Sequence, residues 1–191
     1  MVTRAFKEWA AVQRALLDGR QVLLLRKGGI HEVGRHFRVE SSEFLLYPTY
    51  AHQQADLLRP EATPYLEQSL RDQRPGEVTI SALLRVTHLA EVTDPAVVAA
   101  LAGQTLWTEH YAVKRLHWKP KTPLTVLAVR AYRLATPTVI ADLPAYGGCT
   151  SWIELEAPVA VDGAEPVLDE SAYSASCRSA WSLLPAPATA L

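Results

Sequence analysis

The stretch QVLLLRKGGIHEVGRHFRVESSEFLLYPTY, residues 21–50, sets the terms in which the rest of the chain is read. It opens on the apolar run Val22-Leu23-Leu24-Leu25 and breaks into Arg26-Lys27-Gly28-Gly29. A cationic segment with His31, Arg35, His36 and Arg38 follows, and a second apolar run, Phe44-Leu45-Leu46-Tyr47, ends at Pro48. Short continuous apolar runs bounded by glycine or proline are the pattern of buried strands. The stretch therefore reads as two buried strands, about 21–26 and 44–47, flanking a glycine-bearing basic loop. Proline at position 48 ends the second strand by removing a backbone donor. Cations beside the backbone N–H groups of a glycine turn are also an arrangement that grips an anion.

Towards the N-terminus, Phe6, Trp9, Val12, Leu16 and Leu17 recur at helical spacing ahead of Gly19. This predicts an amphipathic helix over 4–18, with Lys7, Glu8, Gln13 and Arg14 facing water. On the other side, 50–58 and 63–71 read as two short helices divided by Arg59-Pro60, the second opened by Thr63-Pro64. Residues 77–92 alternate apolar positions rich in β-branched side chains and predict a long strand bulged near His88. Asp94-Pro95 caps a helix that runs to about 101 and stops at Gly103, and Thr108 caps another within 107–116. A central strand is expected over 124–132, continued at 138–141. A turn at Tyr146-Gly147-Gly148 leads to a strand at 150–155, then a loop, a helix over 170–184 and a frayed tail.

Strands with helices inserted between them, without regular βαβ alternation, predict an α+β fold. The lengths suit a small mixed β-barrel or twisted sheet decorated by helices. Barrels of the pseudouridine-synthase-and-archaeosine-transglycosylase kind (PUA-like), several of which bind nucleic acid or modified bases, are an analogy for that layout. A chain of 191 residues suits one domain. The expected division is a single α+β domain over 1–155 and an acidic extension over 156–191, with a helix packed on or flanking it.

The composition excludes several classes. Hydrophobic residues are 49% and charged residues 20% of the chain, as in a soluble globular protein. No apolar run approaches the roughly 18 residues of a membrane span. Charge and tryptophan come too early in MVTRAFKEW for a secretory signal. With only Cys149 and Cys177, a reducing cytoplasm is the expected compartment. The net charge of −1 hides an asymmetry: residues 1–133 hold 18 Lys and Arg against 13 Asp and Glu, and residues 134–191 hold one against seven. A basic face for a polyanion and ordinary surface variation both account for that split.

Phe6-Lys7-Glu8-Trp9-Ala10, the block Leu23-Leu24-Leu25-Arg26-Lys27-Gly28-Gly29-Ile30 and the run 44–50 resemble the bacterial domain of unknown function 1802 family. His117-Trp118-Lys119-Pro120 and Pro123-Leu124 extend the resemblance over most of residues 5–155. Its most specific part is Arg26-Lys27-Gly28-Gly29-Ile30. The family has no established activity to carry over. Members occur alongside restriction-endonuclease-like domains, so the resemblance implies a link to DNA and defence and names no catalytic residue here.

The residues themselves point to binding more than to catalysis. Arg26, Lys27, Arg35 and Arg38 form one basic segment; His110, Lys114, Arg115, His117, Lys119, Lys121, Arg130 and Arg133 form another, and 110–133 contain no Asp or Glu. Tyr47, Tyr50, Trp107, Tyr111 and Trp118 interleave with these charges, as stacking faces do in nucleic-acid sites. A solvated basic face over a core aromatic cluster is the bland alternative. Arg26-Lys27-Gly28-Gly29 lacks the glycine spacing and final Lys-Ser/Thr of a P-loop. The six histidines form no HxH or HExxH pair, which leaves no metal site to expect. Gly147-Gly148-Cys149-Thr150-Ser151 has the form of a nucleophile turn, with His52 or His117 as base, but both cysteines read more simply as buried packing residues. No Asp/Glu-x-Lys triplet of a restriction-type nuclease occurs.

The reading is therefore a cytoplasmic nucleic-acid-binding module without a cofactor, membrane contact or catalytic residues, serving as the DNA recognition element of a defence or repair system. Its partners would be DNA or RNA and a nuclease or other defence protein. Arg26, Lys27, Gly28, Gly29, Arg35, Arg38, Lys114, Arg115, His117, Lys119 and Lys121 are the expected phosphate contacts, with Tyr47, Tyr50 and Trp118 beside a base. The alternatives are a small enzyme acting on a nucleotide or phosphorylated metabolite in the same cationic cleft, and a scaffold whose acidic C-terminal part docks a partner.

Overall fold

The computed structural model describes residues 1–27, 39–118 and 122–184 and the backbone of 189–190. Strands β1 (Val2–Trp9), β2 (Leu23–Arg26), β3 (Glu43–Thr49), β4 (Glu77–Val92), β5 (Leu124–Ala141) and β6 (Trp152–Val159) form one mixed sheet in the order β2-β5-β4-β3-β1-β6. Two short strands join it: β7 (Glu165–Pro166) on β5 and β8 (Thr189–Ala190) on β4. The helices are α1 (Ala10–Leu17), α2 (Thr63–Asp72), α3 (Pro95–Ala102), α4 (Glu109–His117) and α5 (Glu170–Trp181). The fold is mixed α+β. Among the described residues β2 and β6 are not paired with one another, so the sheet stays open and the barrel alternative is set aside. None of the described helices is long and apolar enough to cross a membrane.

Side-chain alternation explains why the run at 44–47 is apolar throughout. Phe44 and Leu46 join the core on one face of the sheet, with α1 and parts of α3, α4 and α5; Leu45 and Tyr47 join a second core with Ile80, Leu134, Tyr146 and Ile153. A strand covered on both faces has no position for a polar residue. The first core holds Phe6, Phe44 and Trp152 with ring centroids 4.8–5.3 Å apart.

The long strand β4 carries register shifts between Val86 and His88 and between Ile80 and Ala82, the first where the sequence places a bulge. The expected caps are present: Asp94 accepts from the Ala96 N–H and Thr108 from the Tyr111 N–H. The acidic C-terminal segment is tied to the body, with Arg130 paired to Glu170 and the Tyr173 hydroxyl 2.5 Å from that of Thr87.

Four expectations change. Pro48 lies inside β3, opposite Glu8, and the strand runs on to Thr49 rather than ending at the proline. Residues 2–9 are a strand inside the sheet, parallel to β3 and antiparallel to β6, and the helix begins only at Ala10. The hydrogen bonds of two neighbours outweigh a helical spacing that Phe6 and Trp9 meet by coincidence. Residues 50–58 form no α-helix: His52 takes a left-handed φ of 65°, and only Ala55–Leu57 make a short 3₁₀ turn. At the C-terminal end the expected tail includes β8, paired with His88 and Leu89.

Candidate nucleotide cleft

The parallel strands β1 and β3 run side by side to Trp9 and Thr49, where one chain turns into α1 and the other into the Tyr50-Ala51-His52 loop. A cleft of about 1050 Å³ opens at these strand ends. Lys7, Glu8 and Trp9 of β1, Arg26 of β2 and Tyr47 of β3 line its inner part; Tyr111, Lys114, Arg115, His117 and Trp118 of α4 and its C-terminal end form one rim. Asp142 and the turn from Tyr146 to Ser151, bonded to Lys7 and Arg26, complete the lining. Ligand clefts form readily at the carboxyl ends of parallel strands, where the chain leaves the sheet on diverging paths.

Two buried charged devices shape the interior. Arg26 Nη1 lies 3.2 Å from Glu8 Oε2, its Nη2 donates to Ser151 Oγ at 2.8 Å, and its guanidinium sits 4.5 Å from the centre of the Phe6 ring. Glu8 Oε1 also accepts from the Trp9 N–H at 2.8 Å. The Glu8 side chain is 4% exposed, so carboxylate and guanidinium are held as one rigid unit. The second device is Lys7, whose Nζ donates to the carbonyls of Tyr146, Gly147 and Gly148 at 2.7–3.2 Å. Those bonds fasten the glycine turn against β1. Gly148 has a φ of +78°, which a side chain would resist. Burial pulls the Lys7 amine below the usual lysine value; Cys149 and Asp142 work against that, and Arg26 adds to it.

The walls are aromatic. Trp9 packs edge-on against Trp107 at 4.8 Å and Trp107 against Tyr111 at 4.9 Å; Arg115 lies over Tyr111 and donates to its hydroxyl at 3.1 Å. Tyr47 and Tyr146 meet at 5.7 Å, and the Tyr47 hydroxyl donates to Asp142 at 2.5 Å. Burial, reinforced by the Asp142 carboxylate, raises the Tyr47 phenol well above its usual value, so it remains a donor at any physiological pH. Trp118 is 55% exposed at the rim, an unusual position for a large apolar ring that only packs a core.

Arg26, Tyr47, Tyr50, Lys114, Arg115, His117 and Trp118, expected on sequence grounds to form the site, all line this cleft. Lys27 does not: it is buried and its amine donates to the Thr122 carbonyl. Gly28, Gly29, Arg35, Arg38, Lys119 and Lys121 lie outside the described residues. Arg130 and Arg133 point elsewhere, to Glu170 and to the Leu17 carbonyl. Sequence reasoning missed Lys7 and Glu8 by assigning them to the wet face of a helix. It also missed Asp142 and Tyr146, which carry no local pattern.

The cysteines divide. Cys177 is buried as expected, but Cys149 is exposed on the cleft wall, because the Lys7-held turn places it before β6 begins. Burial also pushes the Cys177 thiol up, which suppresses its reactive thiolate. One thiol per chain is therefore expected to react rapidly with an aromatic disulfide reagent in the native state, and the second only after unfolding. Cys149→Ser should abolish the rapid phase; two rapid phases, or none, would contradict the placement. Among the described residues no three His, Cys, Asp or Glu side chains gather as metal ligands.

A family model described as a domain of unknown function, DUF1802, matches residues 5–179. The chain belongs to the DUF1802 family. The match runs from within β1 to within α5, so β2 to β7, the cleft and most of the C-terminal helix are parts of the DUF1802 region. No curated protein and no solved structure matches the chain.

Proposed function

We propose that this protein is a nucleic-acid-binding module whose cleft receives one nucleotide of a strand. The observation that carries this reading is convergence. Residues singled out from two distant stretches of sequence, around 26–50 and 111–118, line one cleft with cations at the rim and aromatic rings along the walls. Lys114 and Arg115 supply charge, and His117 a ring nitrogen for hydrogen bonding, for phosphates at the mouth. Trp9, Tyr47, Tyr50, Tyr111 and Trp118 line the cleft and supply faces for a base taken out of its stack. The volume suits a nucleotide far better than a duplex, whose diameter would keep it at the rim. As part of the same proposal, the module serves as the recognition element of a defence or repair assembly.

Fluorescence anisotropy with labelled single-stranded and duplex oligonucleotides tests it. Binding at low salt is expected, stronger for single strands, with a salt slope of about −0.7 for each phosphate neutralised on a single strand. A mononucleotide should compete weakly, since it lacks the flanking phosphates. Mononucleotide affinity equal to that of the oligonucleotide, with turnover, would instead make the cleft that of a small enzyme.

A further inference from the structure

We infer that the Glu8–Arg26 pair reads the edge of the bound base, and that this makes guanine the preferred occupant. The inference rests on the nucleotide reading above and settles which end of the nucleotide enters first. A phosphate at the inner end would meet the Glu8 carboxylate as well as Arg26, and a buried like charge repels it. Among the described lining residues the other acid, Asp142, is engaged by the Tyr47 hydroxyl, and Lys114, Arg115 and His117 cluster on α4. The phosphates therefore stay at the rim and the base goes inward, where a fixed acceptor stands beside a fixed donor.

A carboxylate accepts only, and a guanidinium donates only. The complementary edge offers donors to Glu8 and an acceptor to Arg26. Guanine places two adjacent donors, N1–H and the N2 amino group, next to the O6 acceptor. Adenine and cytosine each offer a single amino donor, and thymine a single ring N–H between two acceptors. The pair is also held in place before any ligand arrives, by Ser151 on Arg26 and the Trp9 N–H on Glu8. Such preorganisation favours discrimination over simple attraction.

The test is a panel of single-stranded thymine oligonucleotides carrying one central guanine, inosine, adenine or cytosine, titrated by anisotropy at fixed low salt. Guanine is expected to bind about tenfold more tightly than adenine or cytosine, the effect of one good charge-assisted contact. Inosine, which lacks only the N2 amino group, should fall between. Glu8→Gln should erase the guanine preference and leave the salt slope unchanged. Equal affinity across the panel would overturn the inference while leaving nucleic-acid binding intact, and needs no variant to fold. Absence of binding to any member would remove the nucleotide reading and this inference with it.

Discussion

Glu8→Ala is expected to destabilise the fold by about 3–5 kcal/mol, because it leaves a buried cation without its carboxylate. Arg26 enters the protein interior between the Phe6 ring and Ser151, and Glu8 is its ion-pair partner there. Removing both charges should be far less harmful. Glu8→Leu with Arg26→Met is expected to recover much of the loss, since well-packed apolar side chains often replace a buried ion pair at little cost. The midpoint of urea unfolding for the wild type, the single variant and the double variant measures this. A single-variant loss below about 1 kcal/mol would put the pair in the range of solvated surface ion pairs, and it would then be no rigid fixture of the cleft.

The second large effect falls on binding. Lys114→Gln with Arg115→Gln removes two cations from the C-terminal half of α4, the first exposed and the second half-buried over Tyr111. Oligonucleotide affinity near 0.1 M salt should drop by about 10–100-fold, and the salt slope should flatten by about 1.4 if both side chains meet phosphates on a single strand. Trp118→Ala should behave differently. It removes a stacking face worth roughly 1–3 kcal/mol per base and leaves the slope nearly unchanged. A charge variant that weakens binding without altering the slope would show that these cations act on something other than phosphate.

The parts of the fold that were legible are those whose signals are local. The alternation of β4, the bulge near His88, and the caps at Asp94 and Thr108 each depend on a few neighbouring residues, and each stands in the structure as expected. Strand β1 was illegible because buried charged residues break its pattern. Ala5 and Phe6 lie in different cores on opposite faces, and the next two positions, Lys7 and Glu8, are buried polar groups serving the cleft. A strand with charged side chains in its interior looks, in sequence, like the amphipathic start of the helix that follows it. Local rules fail where long-range contacts of buried charged groups set the composition. Gln13 misled in the same way: it is buried against Ser81 rather than wet.

The candidate site divides along the same line. Its basic and aromatic contributors could be chosen by residue type alone, and several of them do meet at one cleft. Asp142 and Tyr146 could not, since the first matters through its bond to the Tyr47 hydroxyl and the second through the Lys7-held turn. Both contacts join positions more than 90 residues apart, and no spacing rule reaches that far. Arg26 lines the cleft, but the sequence does not reveal that a carboxylate eighteen positions earlier would share it. That partner makes the arginine half of a buried donor–acceptor pair rather than a lone cation.

The most direct test of the cleft as a nucleotide site is photocrosslinking of the native protein to a single-stranded oligonucleotide carrying one 5-iodouracil, followed by mass spectrometry of the joined peptides. The expected attachment points are aromatic lining residues, foremost Trp118, Tyr111 and Tyr50, and an unlabelled oligonucleotide should suppress them. Crosslinks concentrated on α2 or α5, or on the Arg130–Tyr132 face of β5, would contradict the account and place any nucleic-acid contact outside the cleft.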